Sequence, residues 1–119
     1  MKQLFLIGSL LFICNSQSMA DSIKKGRLLA EKVCAGCHVV PSGNKFGGIG
    51  SSISFLGLRG LPDWRERFRT FFARRPHAAF VEIKGVTPKK NPIAYARKIT
   101  LQKSDIQDLL QYAETLVSQ

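Results

Sequence analysis

The stretch Cys34-Ala35-Gly36-Cys37-His38 organises everything around it. It places two thiols three positions apart, with an imidazole directly after the second. The chain holds 119 residues with three Cys and two His, so three of its five Cys and His side chains sit in these five positions. A helical pattern leads into the stretch. Ile23, Ala30, Val33 and Cys37 recur at helical spacing with Leu29 beside them, while Lys24, Lys25, Glu31 and Lys32 face elsewhere. Asp21 and Ser22 are good N-cap residues for that helix. Val39 to Gly60 then reads as loop, rich in Gly and Ser.

C-x-x-C-H is the attachment signature for haem c. Two thiols at a helix end can each add to one vinyl group of the porphyrin, and the adjacent imidazole then lies beneath the iron as its proximal ligand. Three rival readings of the same residues are weaker. A thioredoxin-like dithiol wants a βαβ context, and no strand pattern surrounds the motif. A structural zinc site wants a second ligand pair, and only His77 remains. A plain disulfide explains the cysteines but leaves His38 without a role. The reading is therefore one covalently held haem, with Cys34 and Cys37 as thioether donors and His38 as iron ligand.

Upstream, residues 1–20 read as a cleaved secretory signal peptide. Lys2 supplies a positive start, Leu4 to Ile13 is apolar, and Ser18-Met19-Ala20 places small residues before the cut. The apolar run is half the roughly 20 residues that a bilayer demands, so no membrane span is expected in the mature chain. The mature domain is then 21–119, in the periplasm. With Lys2 gone, its formal charge falls from +10 to +9. Cys14 and both methionines, Met1 and Met19, leave with the signal. About 100 residues bury only roughly 60–68% of their unfolded surface, which is marginal stability without a cofactor or a staple.

Downstream, Leu61-Pro62-Asp63 opens a second helix running to Arg75, with Trp64, Phe68, Phe71 and Phe72 along one face. Phe80 to Thr100 has no sustained period and reads as an ordered loop with a short helical turn at 94–98. Ser104-Asp105-Ile106-Gln107 is close to a capping box and starts the last helix. That helix carries Ile106, Leu109, Leu110, Ala113, Leu116 and Val117 on its apolar side. The expected architecture is all-α: three main helices and long loops. Such long loops in a small domain need something to wrap around.

With these residues in hand, the chain resembles the class I (monohaem) c-type cytochromes. Gly26 and Leu29 upstream of the haem motif resemble that family's N-terminal helix, whose glycine admits a close crossing by the last helix. Ile106 to Tyr112 resembles the last helix, with Tyr112 as the aromatic that packs on the glycine. The resemblance implies a cytochrome c-like fold wrapped around one haem. Two departures stand out. The family's Gly-Pro pair, whose proline carbonyl orients the proximal histidine, is replaced here by Gly48-Ile49-Gly50-Ser51-Ser52. The family's distal methionine is missing from the mature chain altogether.

The distal position therefore has other candidates. His77 is the only other histidine, 39 residues beyond His38 and directly after Pro76. Lys89, Lys90 or Lys98 would serve if a dry pocket depressed its pKa. Tyr95 offers an oxygen, and the site could also stay open. Loss of the methionine implies a lower potential than an ordinary class I carrier.

Arg59, Arg65, Arg67, Arg69, Arg74 and Arg75 fall within seventeen positions, against only Asp63 and Glu66. They read as a docking surface for an acidic redox protein, as a solvated helix face, or in part as partners of haem propionates. No nucleic-acid motif accompanies the charge. The expected function is a monomeric, non-enzymatic carrier of single electrons. The alternatives are a binder of NO, CO or peroxide with an open distal site and weak peroxidase activity, or a haem subunit of a larger periplasmic dehydrogenase complex.

Overall fold

A computed structural model describes residues 13–91 and 97–117 of the chain, with side chains from residue 17 onward. It is mostly helical. Helix α1 spans Ile13–Leu29 and continues into a wider π-helical turn, Ala30–Cys34, that ends on the first motif cysteine. A short α2 (Phe55–Arg59) and α3 (Trp64–Thr70) follow. Two single 3₁₀ turns, Phe71–Ala73 and His77–Ala79, lead into strand β1 (Val81–Ile83). Strand β2 (Ile99–Leu101) pairs with it in parallel, and α4 (Lys103–Thr115) closes the fold.

The all-α expectation holds coarsely, with four differences of detail. Asp21 and Ser22 do not cap α1 but lie inside it, because Ile13 to Ala20 contains neither Gly nor Pro to break the helix. The aromatic helix expected to run to Arg75 stops at Thr70 and tightens into the first 3₁₀ turn. Part of the 39–60 loop is helical, where Ser54 Oγ accepts from Gly57 N at 3.0 Å and caps α2. Part of the 80–100 loop is strand, too short at three residues each for periodicity to announce it. The leader's apolar run falls almost wholly outside the described residues, and the expected cut after Ala20 falls within α1 at exposed positions. No helix among the described residues is long and apolar enough to cross a membrane.

The main core lies where α1 crosses α4. Ala30, Val40, Phe55, Trp64, Phe68, Leu109, Leu110, Tyr112 and Ala113 are buried together there. Gly26 makes the crossing possible. A Cβ at this position would sit 1.9 Å from the Asp108 carbonyl oxygen and 3.0 Å from Tyr112 Cβ, so any side chain forces the helices apart. Tyr112 thus packs against Gly26, as the resemblance implied. Ser22 Oγ donates to Asp108 Oδ1 one helical turn earlier on α1, and the Tyr112 hydroxyl bonds Ser42 Oγ at 2.8 Å. Helix α4 begins one residue before Ser104. Gln102 N donates to Asp105 Oδ2 at 2.7 Å, half of a capping-box exchange. Val117 lies past the end of α4 and is exposed rather than on the apolar face.

Candidate functional site

The two-thiol motif closes α1 as a turn of its own. Cys37 N and His38 N both donate to the Cys34 carbonyl, at 3.1 and 2.9 Å, which reverses the chain and brings His38 round beneath the helix end. Both thiols are free. Cys34 packs on the main core, and burial, followed by the neighbouring Cys37, pushes its thiol up to about 12. Cys37 is exposed.

The loop after the motif folds back over it. Gly48 takes φ +82°, and a Cβ there would meet Cys37 O and Val39 N at 3.0 Å. Ile49 N donates to Cys37 O at 2.9 Å. Asn44 stitches the same turn, donating from Nδ2 to the carbonyls of Ala35 and His38 while its Oδ1 accepts from Val40 N at 2.8 Å. These contacts carry the chain to Ile53, whose carbonyl oxygen lies 2.6 Å from His38 Nδ1. A carbonyl can only accept, so Nδ1 carries the proton and the lone pair of Nε2 is left available. That is how ligating histidines are usually held, with one nitrogen tied to a carbonyl and the other facing the metal. The carbonyl that orients the His38 ring is therefore that of Ile53.

His77 faces His38 across the site. The two ring centroids are 5.8 Å apart and the planes differ by only 13°. Phe71 meets His77 edge-on at 5.5 Å and Phe80 lies tilted at 5.7 Å. Phe55 stands edge-on to His38 at 5.9 Å. His77 Nδ1 is buried with no hydrogen-bond partner. Burial, followed by the nearness of His38, holds the His77 pKa below its ordinary value, which favours the neutral ring.

The other distal candidates are placed differently. Lys98 Nζ forms an ion pair with Glu82 at 2.8 Å, and Lys90 Nζ donates to the Ala78 carbonyl. An ammonium engaged as a donor has no lone pair to give a metal. Lys89 is exposed, and Tyr95 lies outside the described residues. Among the described residues no three of His, Cys, Asp or Glu converge as a metal cage.

The six arginines are not one free patch. Arg65 makes a two-pronged contact with Glu114 (2.8 and 3.2 Å), and Arg67 pairs with Asp63 at 2.9 Å. Arg59 and Arg65 lie over the Trp64 ring, their guanidinium carbons 4.1 and 4.5 Å from its centroid. Arg74 donates to Thr70 Oγ1 at 2.9 Å. Arg69 and Arg75 are exposed without a carboxylate partner among the described residues. Arg59 Nε, like His77 Nδ1, is buried and unpartnered.

Sequence reading missed three members of this site: Asn44, the Ile53 carbonyl and Phe55. Asn44 sits in a Gly-rich loop, a setting that suits Asx-type backbone bonding and so left a faint signal. The Ile53 contribution is main-chain and left none. Comparison with family models, with curated proteins and with solved structures finds no match to this chain.

Proposed function

We propose that this chain is a periplasmic monohaem c-type cytochrome with two histidine ligands, carrying single electrons between redox proteins. One observation supports the reading above all: the chain's two histidines, 39 positions apart in sequence, come together with ring centroids 5.8 Å apart, and His38 Nδ1 is already tied to a carbonyl. Cys34 and Cys37 would hold the porphyrin, each S–H adding across one vinyl group without any net oxidation. His38 and His77 would be the side chains that hold the iron. Bound there, the haem supplies an iron that cycles between Fe(III) and Fe(II).

The chain's own residues do the rest. Phe55 packs on the His38 ring, and Phe71 and Phe80 pack on that of His77. Tying Nδ1 of His38 fixes its ring plane and raises its basicity toward metal. Two nitrogen ligands on pre-set rings favour electron transfer with little rearrangement, and the missing methionine sets a lower potential than His/Met ligation. Arg59 Nε, buried and unpartnered beside Trp64, is the arginine suited to a propionate. Arg69, Arg74 and Arg75, which lead into His77, suit an acidic partner and a salt-sensitive association.

Optical and EPR spectra of the purified haem-loaded protein test this directly, with His77→Ala beside it. Low-spin spectra in both redox states, lost on the substitution, are the expected result. A high-spin wild type that binds CO or NO at once would instead make the protein a gas or peroxide binder. Release of haem from denatured protein into acidified organic solvent would overturn covalent attachment itself.

A further inference from the structure

His77 stands in a three-residue turn that cannot hold itself. Its hydrogen bonds are short-range: Ala78 N to Arg74 O (2.9 Å), Ala79 N to Pro76 O (3.0 Å) and Phe80 N to His77 O (3.0 Å). One isolated turn of this kind contributes little stability of its own. A ligand poised opposite His38 needs a firmer hold than this.

We infer that Glu82 is the positioning residue for His77, acting through Lys90. Glu82 is the middle residue of β1, the strand that begins four residues after His77. The strand itself is anchored: Ile99 N donates to Phe80 O at 2.9 Å, Lys84 N donates to Leu101 O at 3.0 Å, and Val81 and Ile83 are buried on the other side. Its Glu82 side chain is only 13% exposed and gathers two segments at once. Lys98 Nζ reaches Glu82 Oε2 at 2.8 Å from the residue before β2, and Lys90 N reaches the same oxygen at 3.3 Å. With its main chain held there, Lys90 turns its ammonium back onto the carbonyl of Ala78, the residue next to His77. The result is a clasp from strand to turn: Glu82, Lys90, Ala78.

The clasp also explains what the lysines of this loop are for. Lys90 and Lys98 both entered as possible iron ligands, and both are used instead to brace the histidine that takes that role. The inference rests on the proposal that His77 binds iron. Without the clasp the turn still forms, but His77 spends part of its time away from the site, and a competing small ligand gains access in proportion to that fraction.

The test uses the haem-loaded protein as wild type, Glu82→Gln, Glu82→Asp, Lys90→Met and His77→Ala. CO binding to the reduced form is followed by stopped flow, the low-spin fraction by EPR, and helix content by far-UV circular dichroism. Glu82→Gln and Lys90→Met are each expected to speed CO binding by roughly tenfold, with the dichroism unchanged. Glu82→Asp, which keeps the charge, is expected to restore most of the wild-type rate. If His77→Ala opens the iron while both clasp variants match wild type, the clasp is wrong and His77 ligation stands. If His77→Ala leaves the spectra unaltered, both ideas fall together.

Discussion

The cluster at the α1–α4 crossing draws its buried side chains from three helices, the end of a fourth and the loop between them, whereas the cluster beneath His77 has three buried residues on two three-residue strands. Leu29 and Phe71 touch both. The first is held by close shape: Gly26 lies so near the Asp108 carbonyl that no side chain fits. The second is thin, and a charged clasp of Glu82 with Lys90 and Lys98 supplements what little apolar area it buries. The two histidines divide along the same line, since His38 hangs from the end of α1 and His77 from the corner over the strands. One side of the site thus belongs to the close-packed crossing, and the other to a corner with little buried apolar area of its own.

The sharpest way to break this contrast is Gly26→Leu. A leucine must displace the Asp108 carbonyl and Tyr112 together, so the cooperative thermal transition is expected to disappear. A variant that melts within a few degrees of wild type would show that the crossing is not close-packed. Ile83→Ala comes next. It truncates a fully buried side chain and is expected to cost about 2–5 kcal/mol within the corner. Hydrogen exchange should speed up across residues 77–83 and 99–101, while α4 keeps its protection. Equal loss in α4 would mean that the two clusters unfold as one unit.

The smallest effect is one of pH. Lys98, then the Lys90 N–H, hold the Glu82 carboxyl below its ordinary 4.5, and the nearby Lys89 adds to this. A group whose folded pKa is depressed binds fewer protons than in the unfolded chain. Its stabilisation is complete above 4.5 and fades as pH falls through the lowered value. The gap in CO binding between wild type and Glu82→Gln should therefore stay constant above pH 4.5 and close below the lowered value. A gap that persists in strong acid would show that the carboxylate charge is not what holds the corner.

Much of the crossing was legible in the sequence, and the reason is physical. Gly26 and the 109–113 face of α4 carry a helical period that a short window can hold, and Cys34, Cys37 and His38 are neighbours along the chain. His77 could be named as a candidate because histidine is scarce here, but its alignment with His38 arises from packing between distant segments. Strands β1 and β2 escaped notice because each is three residues long and its partner lies eighteen positions away. Nothing in the sequence around Glu82 singles it out. Its role depends on Lys90 and Lys98, eight and sixteen residues on, and on a sheet that no local pattern announced.

The bond from His38 Nδ1 to the Ile53 carbonyl has a further consequence for how this protein tolerates change. A main-chain oxygen is the same atom whatever side chain stands at position 53, so substitution there leaves the bond intact. Register is another matter. Deleting one residue between Gly48 and Ile53 moves a different carbonyl into place, or none, and frees the ring to rotate. The vulnerability of the His38 ring's orientation is thus written in the length of a loop rather than in its letters.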